Sequence, residues 1–305
     1  MKGRIHMGNV FFFDWEVQLM VLLQSHANSF FTAAATFFTL FGEEYLVILV
    51  LGILYWCIDK EVGRRVSRAL SGTMVFGALI KGLVQRRRPY MDNSEVKCIR
   101  AAHPDEDIMS PLAQGFSMPS LHASMSVSVY GSLAHETKKR PLIALGILLP
   151  LFIGISRVYL GVHYPTDVLS GWILGIVLVF ALNAVEHRFG YKAGFIAVLI
   201  IGASGFLFCR DDEFYSAWGI ALGLLLGFIY EEKRVGFEKA TKWWSYIVRP
   251  VLGVAIFALV SIVLKVPAKF ISIEWLALVY RMVRYAVSTF VIIGLYPHLF
   301  KKARI

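Results

Sequence analysis

Residues 156–184 read SRVYLGVHYPTDVLSGWILGIVLVFALNA, and this stretch decides the fold. After Asp167 the run carries no charge as far as Ala184. A helix crossing a bilayer needs roughly 17–25 such residues. Just before it, Ser156, Arg157, His163 and Asp167 crowd polar chemistry onto the rim of the apolar run. Charge at the edge of a membrane bundle is costly unless something anionic binds there.

The rest of the chain repeats the pattern. Of its 305 residues 57% are hydrophobic and 17% charged, with mean hydropathy +0.62; a soluble domain carries about 25% charge. Besides 167–184, apolar runs fall at about 41–58, 62–81, 121–136, 141–157, 191–209, 215–230, 250–266 and 275–298. These predict an all-α polytopic transmembrane helical bundle. Three parts are expected: an N-terminal interfacial segment (1–40), a core bundle (41–190) and a C-terminal helical extension (191–305). Lys2 and Arg4 lead into Phe11-Phe12-Phe13-Asp14-Trp15-Glu16, which is not the pattern of a cleavable signal peptide. Residues 14–28 are expected to lie along the interface as an amphipathic helix.

The net charge of +10 sorts between alternate loops. One set holds Lys60, Arg64, Arg65 and Arg68, then Lys138 to Arg140, Arg188 and Lys192, then Lys233 to Arg249, then Lys301, Lys302 and Arg304. The positive-inside rule assigns that set, and the C-terminus, to the cytosol. No nucleic-acid partner is expected. Cys57, Cys98 and Cys209 lack metal-ligand spacing. Cys98 and Cys209 both map to the outer face, where a disulfide can form, but three unpaired thiols are the simpler expectation.

Three stretches then share the outer face: Lys81-x6-Arg88-Pro89, Pro119-Ser120-Leu121-His122, and Ser156-Arg157-x5-His163-x3-Asp167. Arg88 and Arg157 can each grip two phosphate oxygens, with Lys81 adding a point charge. Lys81 and Arg88 lie two helical turns apart and share a face if the helix runs that far; Pro89 then ends it. Pro119 reads as the first position of the next helix, whose free N–H groups, with the Ser120 hydroxyl, make an anion site. Pro165 marks another start. Asp167, four residues after His163, can fix the imidazole tautomer and raise its basicity, favouring His163 as nucleophile. His122 is the candidate general acid. Each residue alone has a bland explanation as a flanking cation, cap or interface histidine; their conjunction on one face points to phosphate-ester cleavage without a metal or other cofactor.

These motifs resemble the type 2 phosphatidic acid phosphatase superfamily, whose pattern is Lys-x6-Arg-Pro, Pro-Ser-x-His and Ser-Arg-x5-His-x3-Asp. The resemblance covers about 63–185. It implies His163 as nucleophile, Asp167 as its partner, His122 as acid, and Lys81, Arg88, Ser120 and Arg157 as the phosphate clamp. It also implies metal independence and an extracytosolic site. Leu121 stands where many members have Gly, and its side chain limits how closely phosphate approaches that backbone. Phe41 to Glu44 and Trp56 to Arg65 look like the sphingosine-phosphate phosphatase branch and related bacterial proteins, pointing to a single-chain or sphingoid lipid phosphate. The expected partners are a lipid phosphate substrate and membrane lipids. The alternatives are a lipid phosphotransferase, a sugar phosphatase resembling glucose-6-phosphatase, and a non-catalytic lipid-binding or transport protein. With no Asn-x-Ser/Thr sequon, a bacterial inner membrane is expected.

Two features stand outside the motifs. Residues 89–118 form a long polar loop, either a substrate-selecting lid or a passive connector; its His103, Asp105 and Asp107 are expected to be solvated rather than to bind metal. Arg281 and Arg284 lie two turns inside the last helix, where charge is rare; they either pair with Glu43, Glu44, Asp212 or Glu213, touch the substrate, or snorkel to the outer interface, and pairing is expected over snorkelling.

Overall fold

The computed structural model describes residues 8–303, so Lys2, Arg4 and Arg304 of the sequence reading fall outside it. Its first helices are α1 (Asp14–Ser25), α2 (Ser29–Leu40), α3 (Glu44–Ile53), α4 (Lys60–Val84), and the short α5 (Pro89–Asp92) and α6 (Pro111–Gln114). There follow α7 (Leu121–Ser126), α8 (Ser132–Thr137), α9 (Arg140–Tyr159), α10 (Pro165–Phe189) and α11 (Tyr191–Gly202). The last are α12 (Asp212–Tyr230), α13 (Ser245–Val263), α14 (Glu274–Phe290) and α15 (His298–Lys302). A π turn at Val127–Gly131 carries α7 into α8.

Every expected apolar run is helical, and the chain is an integral-membrane all-α bundle. Five helical stretches are long and apolar enough to span a bilayer: Arg140–Tyr159, Pro165–Phe189, Asp212–Val235, Ser245–Phe270 and Glu274–Phe300. A sixth is the pair Ser29–Leu40 and Glu44–Ile58, bent by 51°. The other three expected runs are α4, the 121–137 helix and the shorter Tyr191–Leu207. Of these, α4 carries cations at both ends and buries thirteen residues among its neighbours, so protein rather than lipid surrounds it.

Local chemistry sets the boundaries. The side chains of Asn28, Asp59 and Asp211 accept hydrogen bonds from the first-turn N–H groups of α2, α4 and α12, supplying partners that a helix start otherwise lacks. Pro89 and Pro165 each occupy a first helical turn, where a missing N–H costs nothing. Two expectations are corrected here. Pro119 precedes the cap residue Ser120, and the helix starts at Leu121. Pro89 begins α5 and does not terminate α4, which ends earlier because Gln85 turns left-handed at φ 49°.

Glycine stripes bring the helices close, as small residues do in membranes. Gly171 and Gly175 of α10 face the carbonyls of Ser120 and Ser124, where an added Cβ would sit 2.6 and 2.7 Å away. Gly219 and Gly223 of α12 likewise press on the Met282 and Ala286 carbonyls of α14. The first contact seats the start of α7 on the start of α10; the second binds the C-terminal helices together.

The two ends of the bundle differ. At one end Arg65 pairs with Glu136 at 2.6 Å and Glu186 at 2.8 Å, Arg68 pairs with Glu186, and Lys60 with Glu231 at 2.7 Å. The other end gathers the C-terminus of α4, the starts of α7, α10 and α12, and the end of α9. All three thiols are free.

Candidate active site

At that second end the sequence motifs meet. Lys81, Arg88, Ser120, Arg157, His163 and Asp167 are all buried. His122 is close enough to Arg157, His163, Lys81 and Arg88 to feel each of their charges, and Gly42, at the bend between α2 and α3, packs on its ring.

Arg88 does not arrive on the face of α4. Past Gln85 the chain is extended, Arg86 bridging to Asn9, and Arg88 caps α5. The loop holds its guanidinium through carbonyls: Nε donates to Gln114 and Gly115, Nη2 to Gln114 at 2.6 Å and Nη1 to Val162 at 3.1 Å. Arg157 donates from Nη1 to the Thr39 hydroxyl at 2.9 Å. Among the described residues neither guanidinium has a carboxylate partner. Burial pushes the pKa of Arg88 down from its usual value, which is the mark of a desolvated cation. Buried charges are normally paired or metal-bound, and these two buried arginines are held only by neutral oxygens among the described residues.

Three polar atoms share this character. Ser120 Oγ, Arg157 Nε and His163 Nδ1 are buried without a hydrogen-bond partner. Buried orphans each call for a cause; others lie away from the motifs, Trp56 Nε1 and Arg68 Nε among them. Lys81 differs: its Nζ lies 2.8 and 3.1 Å from the two carboxylate oxygens of Glu213, at the start of α12.

His163 precedes the helix, just before the cap residue Tyr164. Its Nδ1 faces Asp167 Oδ2 at 3.6 Å, too long for a hydrogen bond, though such contacts often tighten once substrate binds. Asp167 also caps its own helix through Tyr164 N–H at 2.8 Å. Burial foremost, then the charges of Arg88, Arg157 and Lys81, hold the His163 pKa well below 6.5. The imidazole is therefore uncharged at neutral pH.

Sequence reasoning missed the residues behind this array. Arg86, the first of Arg86-Arg87-Arg88, is 1% exposed and bridges Asp167 Oδ1 at 2.7 Å and Glu16 Oε2 at 2.8 Å. It also stacks 3.9 Å above the Tyr164 ring. Glu16 in turn accepts from the Thr166 hydroxyl at 2.6 Å. The N-terminal segment thus docks α1 through a buried carboxylate. The usable signal was the pair of acids Asp14 and Glu16 directly after Phe11-Phe12-Phe13; Glu213 gave none beyond its place in an acidic cluster.

The Leu121 side chain packs onto Gly77 of α4. The 89–118 loop is built into the site, since its Gln114 is buried and holds Arg88. Of the two inner arginines, Arg281 pairs with Asp212 at 2.8 Å, one of the four carboxylates expected. Arg284 lies over the Tyr285 ring.

Fold and site together define an integral-membrane helical protein with a buried cluster of cations and histidines at one end of its bundle. Residues 66–191 match the PAP2 superfamily, and residues 215–305 match the PAP2 superfamily phosphatase, transmembrane extension. The chain belongs to the PAP2 superfamily. Among similar proteins, undecaprenyl-diphosphatase of Sulfolobus acidocaldarius is 26% identical over 173 residues, 56% of this chain and 79% of that protein. Phosphatidylglycerophosphatase B of Bacillus subtilis is 39% identical over 83 residues, 24% of this chain and 40% of its own length. Sphingosine-1-phosphate phosphatase 1 of Rattus norvegicus is 27% identical over 175 residues, 54% of this chain and 38% of its own. The chain thus spans about two-fifths of the length of the latter two. No solved structure matches it.

Proposed function

We propose that this protein is an integral-membrane lipid phosphate phosphatase that works without a metal through a phosphohistidine. The observation that carries the reading is the pair of buried arginines, Arg88 and Arg157, that lack carboxylate partners beside two imidazoles. A phosphate monoester supplies the missing charge, and Lys81, Arg88, Arg157 and the Ser120 hydroxyl bind its oxygens.

His163 Nδ1 turns toward Asp167, leaving Nε2 as the nucleophile. The bound phosphate's negative charge offsets the surrounding cations, so that His122 takes up a proton; Nε2 attacks phosphorus, the bond to the ester oxygen breaks, and His122 gives that proton to the departing alkoxide, which leaves as the alcohol. His122 then takes a proton from water. The hydroxide attacks phosphorus, the P–N bond breaks, and inorganic phosphate and free His163 are restored. Asp167 and, behind it, Arg86 hold the ring. The basic clusters gather at the opposite end of the bundle from this pocket, which supports a pocket on the extracytosolic side with the C-terminus in the cytosol.

The test is a phosphate-release screen of purified protein in detergent with diacyl, isoprenoid and sphingoid phosphates. Release that survives EDTA and vanishes in His163→Ala is the expected result. EDTA abolishing turnover would overturn the metal-free chemistry, and wild-type turnover in His163→Ala would remove the nucleophile.

A further inference from the structure

A cavity of about 960 Å³ includes Lys81 in its lining and extends well beyond the motif residues. Its mouth touches Lys81, Gly115, Leu121 and Glu213, so it shares a wall with the clamp. From there it runs between the motif-bearing helices and the C-terminal ones. On one side lie Leu51, Leu70 and Met74; on the other Leu224, Phe257 and Leu278. Tyr55, Trp56 and Ser67 line its far end.

The dimensions are those of a chain-binding site. Lys81 and Ser67 both line it and lie fourteen residues apart on α4, a rise of about 21 Å at roughly 1.5 Å per residue. The hydrocarbon core of a bilayer is about 30 Å thick and holds two opposed layers, so one lipid tail reaches roughly 15 Å. The volume falls within the range of about 300–1,000 Å³ typical of small-molecule sites. The polar lining groups at the shared mouth meet a headgroup, and Arg281 with Asp212 adds a charged rim. Charged residues of the lining include Glu44, Glu213, Lys265, Glu274 and Arg281, while Ser67, Ser71 and Thr289 are small hydroxyls set among the six apolar wall residues named above.

We propose that this cavity holds the hydrocarbon chain of the substrate while its phosphate sits among Lys81, Arg88 and Arg157. The inference rests on the phosphatase reading and deepens it: the C-terminal helices form one wall of a chain-length selector inside the protein. The substrate class it fits is a phosphate monoester with at least one long, flexible apolar chain.

Two measurements on the full chain in detergent test this separately from catalysis. In the first, kcat/KM is determined for n-alkyl phosphates from butyl to octadecyl. It should climb steadily with length, and Ile220→Trp, which fills the cavity from α12, should cut the hexadecyl-to-butyl ratio at least tenfold; Ile220→Phe should cut it less. A flat length series, or an unchanged ratio in both folded variants, overturns the proposal. In the second, a hexadecyl phosphate carrying a nitroxide at its far end should quench tryptophan fluorescence through Trp56, and Trp56→Phe should remove most of that quenching. Quenching that Trp56→Phe leaves intact also overturns it. If no ester releases phosphate yet the Trp56-dependent quenching is present, the phosphatase reading fails and the chain site stands.

Discussion

Replacing Arg86 with Met should damage both stability and turnover, although Arg86 belongs to none of the three motifs. The guanidinium is 1% exposed and donates to Glu16 at 2.8 Å, to Asp167 and Thr166 at 2.7 Å, and to the Phe11 carbonyl at 2.9 Å. Both carboxylates are fully buried. Removing one member of a buried ion pair costs about 3–5 kcal/mol because its partner is stranded. Here two acids are stranded, so Arg86→Met should fall in the upper part of that range. Glu16 accepts from Phe13 N–H and Arg86 at one oxygen and from Thr166 N–H and hydroxyl at the other, so Glu16→Gln loses the acceptors of one side, at least about 1.5–3 kcal/mol, but leaves the Arg86–Asp167 pair intact. The double variant should be less destabilised than the sum, with a coupling of roughly 0.5–3 kcal/mol. Unfolding by SDS or heat in micelles, followed by tryptophan fluorescence, gives the stabilities; phosphate release gives the turnover. A misplacement of about 1 Å at a reacting group can cost on the order of a hundredfold, so Arg86→Met should lose far more turnover than Glu16→Gln, which retains the Asp167 contact. Should Arg86→Met stay within about 0.5 kcal/mol of the parent, as an ordinary surface change does, the buried triad has no energetic role.

The remaining expectations concern charge within and around the pocket. With burial and three cations depressing the His163 pKa, the proposed nucleophile stays uncharged below pH 6.5, so the acid limb of kcat/KM should fall below that value. The comparison is corrected for the substrate's own second ionisation near about 6; a limb at or above 6.5 that tracks His163 would contradict the burial. Glu213 holds Lys81 and presents negative charge to any incoming anion, so Glu213→Gln should strengthen inhibition by inorganic phosphate several-fold, while Lys81→Met should weaken it. Weaker inhibition in Glu213→Gln would instead assign the carboxylate to positioning Lys81. A reporter fused after Ile305 should be active only in its cytosol-dependent form, and the opposite result would place the pocket on the cytosolic side.

The transmembrane helices were legible because each is a local feature: an uninterrupted apolar run, a capping acid or amide, a proline in the first turn. Pro165 at the start of α10 acts as its sequence context predicts. The motif residues were legible for a different reason, since cations and histidines at the end of apolar runs have few structural uses there. The backbone between them was not. Periodicity extended the α4 face to Arg88, but the left-handed turn at Gln85 and the extended link after it depend on a bridge to Asn9, a partner some 75 residues away that no local pattern discloses. The same limit hid Glu16, Thr39 and Glu213. Each is a polar residue on a separate helix whose partner lies between 118 and 150 residues distant along the chain for Thr39 and for Glu16 with Thr166, and 132 for Glu213. Their shared feature is that each satisfies or neutralises a motif residue or its immediate neighbour. Once Lys81, Arg157 and Asp167 are accepted as buried ions, physics demands partners for them. The partners found are a carboxylate for Lys81, a single hydroxyl for Arg157 and the Arg86 guanidinium for Asp167. The uneven supply leaves Arg157, together with Arg88, as the buried motif cations without a carboxylate among the described residues.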